Sequence, residues 1–163
     1  MTTIFECVSR GHPAIARIER LLVQDGVDVN VQDSQELTPL HHAASNGHKD
    51  VAELLIQHGA EVDVQDSQEL TPLHLAASNA HKDVAELLIQ HGAEVNIQDD
   101  QHWTPLHHAA SNGHKDVAEL LIQHGAEVDV RDELQSIPLQ LAAAKGHKDV
   151  AELLLQLCAS ITL

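Results

Sequence analysis

A 33-residue period constrains this chain more than any single residue does. The step Thr38-Pro39-Leu40 returns as Thr71-Pro72-Leu73 and Thr104-Pro105-Leu106, then once more as Ile137-Pro138-Leu139. Residues 33–65 and 66–98 differ at only four positions: His42/Leu75, Gly47/Ala80, Asp63/Asn96 and Val64/Ile97. A fixed period of this length marks stacked supersecondary units, none of which can bury its apolar face alone. Such a chain is expected to form a linear stack, not a closed globule around a cavity.

One unit, residues 33–65, shows how the pattern reads physically. Asp33 to Leu37 is polar and turn-like. Thr38 then supplies an N-cap, and Pro39 at the first helical position loses no needed hydrogen bond. Leu40, Ala43 and Ala44 fall at i, i+3 and i+4, one short apolar stripe, before Gly47 breaks the segment. A second helix follows, with Asp50 near its N-terminus, where the helix dipole favours an acid. Val51, Leu54 and Leu55 form its stripe, Gly59 suits a left-handed C-cap, and residues 60–64 lead out extended.

TPLHHAASNGH, DVAELLIQHGAEVDV and their spacing together resemble the ankyrin repeat. The resemblance covers nearly the whole chain. It implies an all-α solenoid of antiparallel helix pairs, with β-hairpin-like loops projecting sideways as fingers over a concave surface. Residues 1–163 are then one domain: an N-terminal capping repeat 1–32, full repeats 33–65, 66–98 and 99–131, and a C-terminal capping repeat 132–163. In the first unit Ile4, Cys7 and Val8 match Leu40, Ala43 and Ala44, and Ile18, Leu21 and Leu22 match the second stripe. Aligning both stripes requires three extra residues between Gly11 and Ile15.

Two departures from the family pattern carry expectations. The last unit ends LCASITL, with Leu157 and Cys158 where other units have His and Gly. This apolar tail is expected to pack back on the last helices, with a truncated longer array and weak dimerisation as alternatives. In the fingers, relatives usually place Gly where this chain has Glu36, Glu69, His102 and Gln135. A left-handed backbone at a non-glycine residue costs on the order of 1 kcal/mol, so an adjusted turn is expected there.

Composition narrows the functional classes. The 163 residues leave no room for a separate catalytic domain. Apolar residues are nearly all small aliphatics, Phe5 and Trp103 being the aromatic exceptions. No apolar run reaches the roughly 18–20 residues that span a bilayer. The start, MTTIFECVSRGH, lacks a basic segment followed by an apolar one. Cys7 and Cys158 lie in opposite end units, too far apart in a linear stack for a disulfide. A reducing compartment, cytoplasm or nucleus, is expected on that ground. The formal charge of −16 repels nucleic acid and anionic lipid and speeds encounter with a basic protein. A monomer is expected.

Fourteen histidines raise the question of metal. They sort by repeat position: 41, 74 and 107 after Thr-Pro-Leu, 48, 81, 114 and 147 after the inter-helix break, and 58, 91 and 124 before the closing Gly. In ankyrin relatives these are structural positions, the first set bonding within and between neighbouring turns. Neighbours such as His41-His42 diverge by about 100° on a helix, and equivalent residues of successive units should sit too far apart to share an ion. No C-x-x-C or H-E-x-x-H occurs, so neither a metal nor another cofactor is expected. A His-based metal or pH sensor is a further alternative, since protonating histidines below about pH 6.5 would offset the negative charge. No serine stands in a G-x-S-x-G setting and no glycine run suits a phosphate, so no enzyme is indicated.

What remains is a surface. The segment DVAELL is constant across four units, whereas differences gather in the fingers and at 42/75/108/141. Partner contacts of the family fall on finger tips and the exposed side of the first helix. Carried over, these are Gln35, Leu37, His42, Ser45 and Asn46, then Gln68, Leu70, Leu75, Ser78 and Asn79. The third set is Gln101, His102, Trp103, His108, Ser111 and Asn112, and the last Leu134, Gln135, Ser136, Leu141 and Lys145. Leu37, Leu70 and Trp103 occupy equivalent places and form a candidate apolar ridge; Trp is also favoured among interface hot spots. Asn30 and Asn96 resemble hydroxylation sites of some ankyrin proteins, and Asn is equally a common turn residue. The resulting expectation is a protein-binding scaffold, with an engineered or purely structural array as the alternative.

Overall fold

A computed structural model describes residues 2–161. Among the described residues ten α-helices pair off: α1 (Ile4–Arg10) with α2 (Ile15–Val23), α3 (Pro39–Asn46) with α4 (Lys49–Gln57), and α5 (Pro72–Ser78) with α6 (Lys82–Gln90). The series continues with α7 (Pro105–Ser111) and α8 (Lys115–Gln123), then α9 (Pro138–Ala144) and α10 (Lys148–Ile161). The odd-numbered helices pack on one another in one row, and the even-numbered helices in a second. No strand occurs among the described residues, and none of their helices is long and apolar enough to cross a membrane.

Local chemistry sets the helix boundaries. Thr38, Thr71 and Thr104 cap α3, α5 and α7 with Pro next in line, and each Thr oxygen accepts from the amide three residues on. Gly47 takes φ 72° at the end of α3, the left-handed closure that its place in the sequence suggests. The three extra residues of the first unit form a short 3-10 turn, His12–Ala14, between α1 and α2.

Leu40, Leu73 and Leu106 are fully buried between the rows, as are Leu55, Leu88 and Leu121. Within the second-helix stripe Leu54 is only half-buried, whereas Leu87 and Leu120 are buried. Alanine fills the remaining space (Ala43, Ala44, Ala76, Ala77, Ala109 and Ala110 are all at 0% exposure), which lets neighbouring pairs approach closely.

One expectation needs correction. The fingers do not adjust: Glu36, Glu69, His102 and Gln135 keep left-handed backbones at φ 63°, 62°, 61° and 65°. Hydrogen bonds hold the turn in that shape. In the first finger the Glu36 amide donates to Asp33 O, and Asp33 Oδ1 accepts from the amides of Gln35 and Leu37. The first residues of the tail do pack against the core, as part of the last helix. With Cys158 in place of Gly, nothing stops the helix, and α10 runs on for 14 residues with Leu157 and Cys158 against the core. Thr162 and Leu163, the end of that tail, lie outside the described residues. Cys7 is buried, and it forms no disulfide with Cys158.

Candidate interaction surface

Each finger is built on a buried or half-buried aspartate. Asp66 Oδ1 accepts from the amides of Gln68 and Leu70, Asp99 Oδ1 from those of Gln101 and Trp103, and Asp132 Oδ1 from those of Leu134 and Ser136. Neighbouring fingers are stitched by main-chain bonds. The Ser67 amide donates to Gln35 O at 3.1 Å, the Asp100 amide to Gln68 O at 3.1 Å, and the Glu133 amide to Gln101 O at 3.2 Å. The tips therefore stand in a connected row.

A second set of bonds ties the fingers to the helices through buried imidazoles. His41 Nε2 donates to Leu70 O at 2.9 Å, His74 Nε2 to Trp103 O at 3.0 Å, and His107 Nε2 to Ser136 O at 3.2 Å. Their Nδ1 atoms accept from the amide and hydroxyl of the preceding Thr. These partners define the tautomer: a carbonyl can only accept, so the proton sits on Nε2. All three rings are at 0% exposure, and burial pushes their pKa values below the ordinary imidazole value, His74 to about 4. A further ladder runs along the helix starts, with His48, His81, His114 and His147 bonding to the carbonyls of Ser9, Ser45, Ser78 and Ser111. Among the described residues no buried side-chain nitrogen or oxygen lacks a partner.

The surface residues expected from sequence fall into two open grooves, the finger tips, and α5, α7 and α9 with their C-terminal caps. An open groove of 540 Å³ between the first two fingers brings together Gln35, Leu37, His42, Ser45, Asn46, Gln68, Leu70 and Leu75. A smaller one of 250 Å³ brings together Gln101, Trp103, Leu134 and Leu141, with Asp132 and Glu133 on its wall. Asn79, His102, Asn112, Gln135 and Lys145 are exposed, whereas Ser78, His108 and Ser136 are half-buried. Ser111 is the exception. It is buried at 8% exposure and offers little surface to a partner. Leu134 is exposed at 85%, far more than Leu37 or Leu70.

Trp103 is half-buried and committed on several sides. Its Nε1 donates to Asp132 Oδ2 at 3.0 Å, and its ring stacks on His107 and meets His108 edge-on. Sequence reasoning missed what surrounds this ring: His74, Asp99 and His108 present ligand-type atoms all within 4.8 Å of one another. His74 and His108 are 34 residues apart, one more than the period, so comparing equivalent positions overlooked the pair. Burial raises the Asp99 pKa, but hydrogen bonds from His108 and the amides of Trp103 and Gln101 outweigh it, and the carboxyl stays below its ordinary value.

Comparison with known proteins gives a consistent result. A family model described as "Ankyrin repeats (3 copies)" matches residues 4–99 and 92–163. A mouse protein, ankyrin repeat domain-containing protein 49, is 49% identical over 37 residues, 23% of this chain and 16% of that relative's length. With caps, buried histidines and connected fingers repeating along its length, the chain belongs to the ankyrin-repeat family.

Proposed function

We propose that this chain is a non-enzymatic scaffold that binds a folded protein with a basic surface along its finger face. Ankyrin repeats are protein-interaction modules. The observation that carries the reading is the division of labour between the two rows of helices. The constant DVAELL segments of α4, α6 and α8 bury their Val and Ala residues in the stack, while His42, Leu75 and Leu141, at a position that varies between units, line the finger grooves. A partner lying across the tips would meet amide side chains at 35, 68 and 101, with apolar ground at Leu70, Leu75, Leu134 and Leu141. The net charge of −16 favours a basic partner and makes the encounter salt-dependent.

The test is affinity capture with wild type against a Gln68→Arg/Asn79→Arg variant. Both residues are exposed, so the change should leave thermal unfolding within a degree or two while repelling a basic partner. Loss of the captured protein from the variant, with capture by wild type falling as salt rises, supports the reading. Equal capture by both proteins places the interface elsewhere.

A further inference from the structure

We propose that His74, Asp99 and His108 form a binding site for one divalent transition ion of the zinc type. Two imidazoles and a carboxylate are a donor set suited to zinc. One ligand-type atom of each lies within 4.8 Å of the others, and His108 Nε2 already sits 2.8 Å from Asp99 Oδ2. The rings of His74 and His108 meet edge to face, their centroids 5.4 Å apart. His74 is at 0% exposure and Asp99 at 4%, while His108 is half-buried and marks the side open to solvent.

The surroundings hold two of the three ligands in place. Asp99 Oδ1 accepts from the amides of Gln101 and Trp103, which leaves Oδ2 directed at His108. Thr71 Oγ1, 2.9 Å from His74 Nδ1, is the neighbour that can hold this ring once Nδ1 carries the proton. Such outer partners orient metal ligands and are part of a site's affinity. Loading has a definite proton balance. The ion takes Nε2 of each ring, and each Nε2 proton moves to Nδ1, where that of His74 can be accepted by Thr71 Oγ1. The Thr71 amide loses its acceptor and the Trp103 carbonyl its donor. That carbonyl lies 3.0 Å from His74 Nε2 before loading.

Among the described residues the trio is complete at one junction, and the chain itself supplies the comparison. His41 and Asp66 have the same buried places one repeat earlier, but Leu75 stands where His108 does. His107 and Asp132 repeat them one unit later, opposite Leu141. His42 pairs with Asp33 at 2.9 Å, but Phe5 occupies the place of the third ligand, its ring 5.3 Å from that of His42. The difference between His108 and its equivalents Leu75 and Leu141 thus decides which of these junctions carries the trio.

The test is calorimetric titration of zinc chloride into wild type, His108→Leu and Leu75→His, with copper(II) quenching of Trp103 fluorescence as a second readout. Trp103 is the sole tryptophan, and its ring lies 5.0 Å from that of His108. Leu is native at positions 75 and 141, so His108→Leu should fold; circular dichroism checks it. Expected are one saturable site in wild type, none in His108→Leu and two in Leu75→His. Absence of a saturable wild-type site, persistence of that site in His108→Leu, or failure of Leu75→His to add a second overturns the proposal. The gain in Leu75→His keeps the test decisive should His108→Leu prove unstable.

Discussion

Acid should weaken the stack through its buried imidazoles, and His74 allows the effect to be sized. Its pKa is pushed down to about 4 from 6.5, chiefly by burial and then by the neighbouring His108, against the hydrogen bond to Trp103 O. For a base whose folded pKa is lowered, the unfolded chain holds more protons between the two values, so stability rises with pH across that window. The contribution is whole above pH 6.5 and declines until pH 4. At about 1.4 kcal/mol per pH step, some 2–3 kcal/mol of it is gone by pH 4.5. His41 and His107, shifted the same way by burial, add to the decline.

The assay is urea unfolding with a metal chelator present, comparing wild type and His74→Gln at pH 7 and pH 4.5. Glutamine is chosen because Gln140 occupies this place in the last unit, where its Oε1 accepts from the Ile137 amide at 2.9 Å. At pH 7 the variant should be the less stable, having lost the bond to Trp103 O. At pH 4.5 the gap should narrow or reverse, a change of about 2 kcal/mol. Parallel declines in the two proteins would refute the assignment of acid sensitivity to this ring, since all other titrating groups are shared.

Three further outcomes follow from individual residues. Leu88→Ala, at 0% exposure, should cost about 2–5 kcal/mol by chemical denaturation, whereas Leu155→Ala, at 60%, should stay within about 0.5 kcal/mol. Ala80 holds φ 63° where the equivalent residues are Gly47 and Gly113; Ala80→Gly should therefore raise stability by about 1 kcal/mol, visible as a higher melting temperature. Asp63 stands where Asn30 and Asn96 each reach both a glycine carbonyl and an amide of the next unit, yet it only accepts, from the Glu94 amide. Burial and then the Glu94 charge raise its pKa, so its native-state contribution is present at low pH and is lost as pH rises through the folded value. Asp63→Asn should therefore stabilise by about 0.5–1.5 kcal/mol at pH 7 and by little near pH 3, as urea midpoints would report.

Much of the fold was legible because each boundary has a local chemical cause. Thr38-Pro39 starts a helix, Gly47 and Gly59 end one, and the apolar spacing of Leu40 with Ala43 and Ala44 identifies the buried side. The histidines recur with the period, and the resemblance to ankyrin repeats marked them as structural positions. Less accessible was anything that depends on the offset between neighbouring units. His74 meets His108 only because helix pairs stack with a one-residue shift between facing positions, and no within-repeat pattern encodes that shift. The left-handed Glu36 and Glu69 were misjudged because propensity was weighed without the Asp33 and Asp66 carboxylates, whose backbone bonds hold the turn. Ser111 looked like its neighbours in sequence and differs only in how closely the next unit covers it.

Amide hydrogen exchange on the complex with the captured partner tests the functional account most directly. Slowed exchange concentrated at residues 34–37, 67–70 and 100–103 and along α3, α5 and α7, with α4, α6 and α8 unchanged, is the predicted footprint. Protection confined to the α4, α6 and α8 row, with the finger amides exchanging as in the unbound protein, would contradict it.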